Sequence, residues 1–195
     1  MDTTIGLKDL FYAPITEDAN GYETYGTPVR LAKGITAGLS YDRNSVTIDA
    51  DDQVEDELDL FKEGKISLGV YAITSEKAAV LTGADVDNNG CLIDSGNDDP
   101  PYVAIGFRAL TSKGTYRYMW LYRVKFSVPG ENFATKKRDG ITANSPTIEG
   151  KFYPRKKPDS RGENPWRTSV TEGESNDSTT IIGNWFNSVP EPTFS

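Results

Sequence analysis

The sequence predicts a mainly β protein with long loops, organised around one central β-hairpin. Residues 101–129 contain two successive runs in which apolar and polar residues alternate. Such alternation is typical of strands, because successive side chains of a strand point to opposite faces. No other part of the chain keeps so uniform a period over such a length. The 18 Gly and 11 Pro among 195 residues also suit a sheet protein better than a helical bundle.

The two strands of this hairpin are joined by a predicted turn at Ser112-Lys113-Gly114, where glycine can take a positive φ. The first strand alternates through Val103, Ile105, Phe107 and Ala109. The second strand places one set of side chains on one face, namely Tyr116, Tyr118, Trp120, Tyr122, Val124 and Phe126, and another set on the opposite face, namely Arg117, Met119, Leu121, Arg123 and Lys125. Aromatic and β-branched residues fit a half-buried pleated surface, so we expect this hairpin at the centre of a sheet.

Four further strands are predicted before the hairpin, at residues 5–13, 29–41, 44–50 and 65–73, together with a brief strand at Leu92 and Ile93. The first is expected to end at Pro14. The second is interrupted by Gly34 and Gly38, which indicate bends or bulges. The strand at 65–73 has one apolar face, formed by Ile66, Leu68, Val70 and Ala72.

The stretch after residue 73 contains a short predicted helix and then a turn. Thr74 or Ser75 caps the helix, and Gly83 ends it. The spacing of Asp85, Asp87, Asn89 and Gly90 matches the opening of a calcium-binding loop. The twelfth position, where such a loop needs a bidentate Glu, is Gly96, and no second helix follows. We therefore interpret this stretch as a turn without a metal.

Beyond the hairpin, strands are predicted at residues 146–154 and 166–170, with polar loops at 130–145 and 155–165. An amphipathic helix is predicted to close the chain, with Asp177 or Ser178 as cap and Pro190 as stop. Its apolar stripe contains Ile181, Ile182, Trp185, Phe186 and Val189. The pattern leaves two docking partners open for this stripe, the sheet of its own chain or a neighbouring copy.

Charge is distributed unevenly along the chain. The net charge of −8 argues against a nucleic-acid-binding surface. Residues 1–100 carry 7 basic and 20 acidic residues, a balance of −13, whereas residues 101–195 carry 14 and 9, a balance of +5. The two halves either neutralise each other within one fold or meet across contacts between copies, where complementary potentials set the register.

Seven carboxylates fall within the eleven residues 49–59. Like charges at this density repel each other and cannot be buried, so we predict an exposed loop at about 49–63. Such a loop would be available to the basic clusters of a neighbouring copy. The candidate intersubunit contacts are Asp51, Asp52, Glu55, Asp56 and Glu57 on one side, and Lys136, Lys137, Arg138, Arg155, Lys156 and Lys157 on the other.

Several functional classes are disfavoured by residues that the chain lacks. It has no histidine and a single cysteine, Cys91, which removes the usual means of zinc binding and of Cys/His or Ser/His catalysis. We predict no catalytic site, no cofactor and no metal. No apolar run reaches the roughly 20 residues of a membrane helix, and no signal peptide is visible. With no possible internal disulfide either, we expect a soluble protein made in a reducing cytoplasm.

Several stretches of the chain resemble the major tail proteins of long-tailed bacteriophages. They are GLKDLFYAPITED at the start, YGTPVRLAKGITAGLSYDRNSVTIDADDQVED, LGVYAI before a short helix, DNNGCLIDS, the central hairpin, the strand PTIEGKFYP and the closing WF-x-x-V. The resemblance extends from about residue 5 to about residue 190, in the expected order. The hairpin and GLKDLFYA are its most specific parts. The segment 155–164 departs from the pattern, because it is longer and more basic than the family resemblance leads us to expect.

The resemblance implies a single tail-tube domain over residues 1–195, a β-sandwich or half-barrel with a flanking helix and a C-terminal arm at about 155–195. Such subunits form six-fold rings that stack into the tube through which the genome passes. The implied partners are other copies, the tape measure, tail tip and terminator proteins, and passing DNA that is not specifically bound. The implied location is the virion tail, without a membrane and without enzymatic activity.

Two other classes compete with this interpretation. A carbohydrate-binding β-sandwich is suggested by Tyr116, Tyr118, Trp120 and Tyr122 on one strand face, although aromatic residues at this spacing are more often core or interface. A glycosidase with paired carboxylates is the second. The acidic residues cluster in one segment rather than in a pair flanking a cleft, which disfavours that class.

Overall fold

A large antiparallel β-sheet dominates the fold and confirms the prediction of a mainly β protein. The computed structural model describes residues 3–50, 53–128, 147–174 and 178–194, without the side chains of 45–50, 53–59 and 178. In chain order the elements are β1 (Thr4–Glu17), β2 (Glu23–Tyr25), β3 (Val29–Ala32), β4 (Gly34–Ala50), β5 (Gln53–Val70), α1 (Ser75–Thr82), β6 (Asp85–Val86), β7 (Leu92–Ile93), β8 (Tyr102–Thr111), β9 (Tyr116–Phe126), β10 (Thr147–Phe152), β11 (Arg167–Thr171) and α2 (Ser178–Gly183). β6 and β7 form a separate small hairpin.

The large sheet closes on itself into a barrel. Its strand order is β2–β1–β8–β9–β10–β5–β4, and β11 pairs with β9 beside β10. β3 pairs with the edge of β1 that β8 leaves free, and Lys33 alone separates β3 from β4. The chain from β3 to β4 therefore joins the first and last strands of the barrel, which is the connection that a closed sheet needs.

Apolar side chains form two cores on opposite faces of this sheet. The interior core fills the barrel and contains Leu10, Tyr12, Leu31, Ile66, Leu68, Val70, Leu81, Val103, Ile105, Phe107, Met119, Leu121, Val124, Phe126, Ile148 and Phe152. The outer core lies on the other face of β1, β8 and β9 and contains Ala13, Ala104, Tyr118, Trp120, Tyr122, Trp185 and Val189. Because both faces of β8 and β9 are covered, these strands occupy the centre of the fold, as the sequence predicts.

The predicted hairpin is confirmed in its strands and its turn, but its uniform alternation is wrong at one end. Val103 pairs with Val124, whereas Ile105 pairs with Leu121, so β9 contains one extra residue at Tyr122–Arg123. Such a bulge shifts the side-chain parity by one residue. Val124 and Phe126 consequently join the interior core, on the face opposite Tyr118, Trp120 and Tyr122.

The first strand is longer than predicted. β1 passes through Pro14, which pairs with Val103 and accepts a hydrogen bond from the backbone N–H of Gly26. The strand also contains a bulge, since Lys8 pairs with Arg108 but Phe11 pairs with Gly106. Asp9 lies in this bulge at φ 51°, a left-handed conformation that aspartate tolerates better than most residues. The strand tolerates proline at this position because the local hydrogen bond uses the Pro14 carbonyl as acceptor and needs no N–H donor from Pro14.

The middle of the chain differs most from the prediction. The expected strand at 29–41 breaks at Lys33, and the chain then runs without interruption through β4 to Ala50. The exposed loop expected at about 49–63 is also wrong for the described residues, because β4 and β5 pair up to Ala50 and Gln53. The acidic run therefore lies on a long hairpin, with Asp51 and Asp52 outside the described residues.

The remaining elements mostly follow the sequence. Helix α1 ends at Gly83, whose φ of 76° is left-handed, and β10 and β11 lie where strands are predicted. The calcium-like stretch is a turn in which the Asp87 carboxylate accepts the backbone N–H groups of Asn89 and Cys91. The closing helix is shorter than predicted, because α2 ends at Gly183 and turns continue the chain past Trp185.

Candidate assembly interface

The β4–β5 hairpin leaves the barrel as a two-stranded arm. We use "the arm" for residues 43–50 and 53–61, which pair from Arg43–Phe61 out to Ala50–Gln53. The pairing of β10 with β5 ends at Gly64, so no third strand accompanies the arm. Eight residues of β4 in the arm, at about 3.4 Å each, extend about 25 Å from the barrel. Both long edges of the arm are therefore unpaired in the described part of the chain.

The far half of the arm carries the acidic run. Glu55, Asp56 and Glu57 lie on β5, where Asp56 pairs with Ile48 and Glu57 pairs with Thr47. Free strand edges attract other strands, and charged residues protect them from unspecific pairing. Any surface that packs against these carboxylates would have to supply basic groups to offset the repulsion between them. The arm thus combines unpaired backbone edges with a high density of negative charge.

Aromatic side chains surround the base of the arm. The ring of Phe61 stacks on that of Trp166, with centroids 4.6 Å apart and planes at 15°. Phe152 stacks against both rings, at 5.9 Å from Phe61 and 5.5 Å from Trp166. Tyr41 closes the group, 5.3 Å from Trp166. This cluster could not be predicted from the sequence, because its members come from four separate segments and form no local pattern.

The predicted basic partners fall into two groups. Lys136, Lys137 and Arg138 lie outside the described residues. Arg155 is only 2% exposed; its guanidinium pairs with the Glu191 carboxylate at 2.6 Å and lies over the Tyr122 ring. Burial by itself would lower the pKa of Arg155, but the Glu191 carboxylate reverses this and raises it. Arg155 is therefore engaged within its own chain, so the structure does not present it as the exposed intersubunit contact that the sequence predicts.

Lys156 and Lys157 fix their loop to the edge of the sheet. Their backbone N–H groups donate to the buried carboxylate of Glu23 at 2.9–3.0 Å. The side chain of Lys156 pairs with Glu17 at 2.5 Å, and that of Lys157 pairs with Glu191 at 3.1 Å. Both ammonium groups remain partly exposed, so a neighbouring copy could reach them only in competition with these intrachain partners.

The C-terminal segment covers the outer face of the central hairpin. Trp185 and Val189 are buried in the outer core, and Phe186 stacks on Phe11 at 4.6 Å. Tyr122 donates from its hydroxyl to the carbonyl of Pro190 at 2.9 Å. Of the two docking partners that the sequence leaves open, the structure selects the chain's own sheet for Trp185 and Val189. Ile181, at 47% exposure, points elsewhere.

This cover also bears on the aromatic face of the hairpin. Tyr118, Trp120 and Tyr122 are at most 5% exposed. These three rings are consequently enclosed between the barrel and the C-terminal segment, whereas Tyr116, the fourth ring of this face, is partly exposed. Among the described residues, no group of three or more Cys, Asp or Glu is arranged to hold a metal ion. No helix in the same part of the chain has the length and apolar character needed to cross a membrane.

Comparison with protein-family models gave no match, and comparison with curated protein sequences gave none either.

Proposed function

We propose that this chain is a structural subunit of a phage tail tube, whose copies form six-fold rings that stack into a conduit for DNA delivery. The resemblance of residues 5–190 to major tail proteins names the class. The arm is the structural observation that supports it best. A protein that acts as a monomer would have no evident need for a hairpin that extends about 25 Å from its barrel. The described strands of this hairpin include five carboxylate residues, namely Asp49, Glu55, Asp56, Glu57 and Asp59.

The arm suits a contact between different surfaces of identical copies. An acidic arm cannot pair with its own counterpart, because like charges repel, so it must meet another part of the neighbour. Contacts of this head-to-tail kind form closed rings when the rotation closes and extended stacks when it does not. The basic residues of the second half of the chain provide the complementary charge, with Lys136, Lys137, Arg138, Lys156 and Lys157 as the proposed contacts.

Further partners follow from this role. The tube would meet tape measure, tip and terminator proteins at its inside and its ends, and the protein would reside in the virion tail. An acidic lumen would let DNA slide without adhering, since both surfaces are negative. The chain would act without a cofactor and without catalysis.

Negative-stain microscopy tests the proposal directly. Purified protein is examined over a series of concentrations, beside a variant in which a short Gly-Ser turn replaces residues 44–60. We expect rings or tubes from the parent at high concentration and only single subunits from the armless variant, with sedimentation confirming both. A parent chain that sediments as a compact monomer at every concentration contradicts the proposal.

A further inference from the structure

We propose that the aromatic cluster at the base of the arm is a joint that fixes the direction of the arm relative to the barrel. The joint is formed by Tyr41, Phe61, Phe152 and Trp166, together with Gly64. The use of this direction in assembly rests on the proposed function, whereas the rigidity of the arm is a property of the single subunit. The joint can therefore be tested without any assembly.

Three stacked rings tie separate segments together at this point. Phe61 belongs to β5, Phe152 to β10, and Trp166 to the segment that leads into β11. The ring plane of Phe61 makes an angle of 15° with the ring planes of both Phe152 and Trp166, and the planes of Phe152 and Trp166 are 26° apart. A change in the angle between the arm and the barrel would separate the Phe61 ring from those of Phe152 and Trp166. The stacking of the three rings therefore opposes such a change.

A glycine and a bulge make room for the stack. Gly64 lies in register between Tyr41 on β4 and Phe152 on β10. A Cβ atom at Gly64 would lie 2.1 Å from the Phe152 ring, so the ring occupies the space that any other residue would fill. Asp42 pairs with Glu63 but Arg43 pairs with Phe61, which makes Lys62 an extra residue in β5. This shift of parity lets Phe61 turn toward the same side as Phe152.

The fourth ring locks the opposite strand of the arm. Tyr41 lies edge-on to Phe152 at 6.0 Å, and its hydroxyl accepts a hydrogen bond from Arg167 at 3.1 Å. The Arg167 guanidinium also lies 4.4 Å over the Trp166 ring. Both strands of the arm are thereby held at the base, β4 through Tyr41 and β5 through Phe61.

The direction of the arm matters because its charges lie far from the joint. With a reach of about 25 Å, a swing of about 10° displaces the acidic end by about 4 Å. A displacement of that size exceeds the tolerance of a hydrogen bond or close ion pair. A fixed direction would therefore present the carboxylates of every copy in one place, which a regular ring requires.

Spin-label distance measurements on the dilute subunit test the joint. Cys91→Ser removes the native thiol, and labels are attached through Thr47→Cys on the arm and Ser169→Cys on β11. We expect a narrow distance distribution in this background, and at least a twofold broadening on adding Phe61→Ala or Trp166→Ala. Phe186→Ala serves as matched control, because it removes a stacked ring from the outer core and should leave the width unchanged.

A milder variant keeps the test valid if a ring deletion unfolds the subunit. Trp166→Leu retains apolar volume but removes the stacking. Circular dichroism is used to check that this variant remains folded. A distribution that is already broad in the labelled background, or that stays narrow in every folded joint variant, overturns the proposal. Neither result depends on whether the parent forms tubes, so failure of the joint and failure of the proposed function are distinguished.

Discussion

The indole nitrogen of Trp120 donates a hydrogen bond to the backbone carbonyl of Trp185, at 2.9 Å. Trp120 lies in the centre of β9, and Trp185 lies in the turns that follow α2, so this bond links the middle of the sheet to the end of the chain. Both side chains are at most 2% exposed. A buried indole N–H without a partner is costly, and this bond therefore makes the C-terminal segment part of the outer core.

Removal of residues 177–195 should lower the melting temperature of the single subunit. The truncation exposes the Tyr118, Trp120 and Tyr122 rings and leaves the Trp120 N–H without its acceptor. Burial of large apolar side chains such as Trp185 contributes roughly 1.5–3 kcal/mol each, before entropy is subtracted. Thermal melting followed by circular dichroism measures the effect. Deletion of residues 130–145 is a control of similar length, and an equal loss in both variants would contradict the role assigned to the C-terminal segment.

Substitution of Gly106 by alanine should destabilise the outer core. A Cβ atom at Gly106 would lie 2.5 Å from the Trp120 ring, which is fully buried and is held by its hydrogen bond to the Trp185 carbonyl. Overpacking of this kind costs about 1–3 kcal/mol. Gly96→Ala is the matched control, since nothing lies within 4 Å of its Cβ position and the change should stay within about 0.5 kcal/mol. Urea unfolding measures the stability of both variants. Equal unfolding midpoints would contradict the prediction and show that the Trp120 side chain can shift to accommodate the added methyl group.

The fold is predictable from sequence where local pattern and tertiary environment agree. The β8–β9 hairpin is such a case, because both strands alternate and Gly114 marks the turn with a φ of 84°. Helix α1 is another, with Gly83 at its end. The face of Val124 and Phe126 could not be predicted, since no glycine or proline marks the bulge before them.

Of the candidate assembly interface, only the clustering of acidic residues could be predicted from the sequence. The acidic run is visible in the sequence, but like-charge repulsion suggests a loop, whereas continuous pairing with β4 keeps the described part of it in a strand. Arg155 belongs to a basic cluster in sequence and becomes buried only because Glu191 and Tyr122 converge on it in the fold. The rings of the joint are separated by up to 125 residues, from Tyr41 to Trp166, so no window of sequence contains them.

Acidification should remove the stabilising effect of Glu191. Partial burial acts to raise the pKa of Glu191, but hydrogen bonds from Arg155 and Lys157 outweigh this and lower it. Because the pKa is lower in the folded than in the unfolded chain, the contribution is complete above the ordinary carboxyl pKa and is lost as pH falls through the folded value. Glu191→Gln should therefore melt below the parent at pH 7, and the gap should close toward pH 3. A gap that is independent of pH would assign the effect to packing.

Neutralising the acidic run should impair assembly while leaving the subunit folded. The variant changes five carboxylates to their amides, at Asp51, Asp52, Glu55, Asp56 and Glu57. Exposed charges contribute on the order of 0–1 kcal/mol per pair to folding, so the melting temperature should change little, yet the encounter with a basic neighbour loses its attraction.

A control variant with five other carboxylates changed to amides distinguishes the effect of where the charge lies from the effect of the total net charge. These residues are exposed and outside the arm, namely Glu76, Asp85, Asp94, Glu163 and Glu174. Amide substitution there removes the same five charges, so a change in net charge alone would affect both variants equally. We expect rings or tubes from this control at the concentration where the parent forms them, and none from the arm variant. Normal tubes from the arm variant would show that its carboxylates do not determine the contact, and loss of tubes from both would assign the effect to net charge.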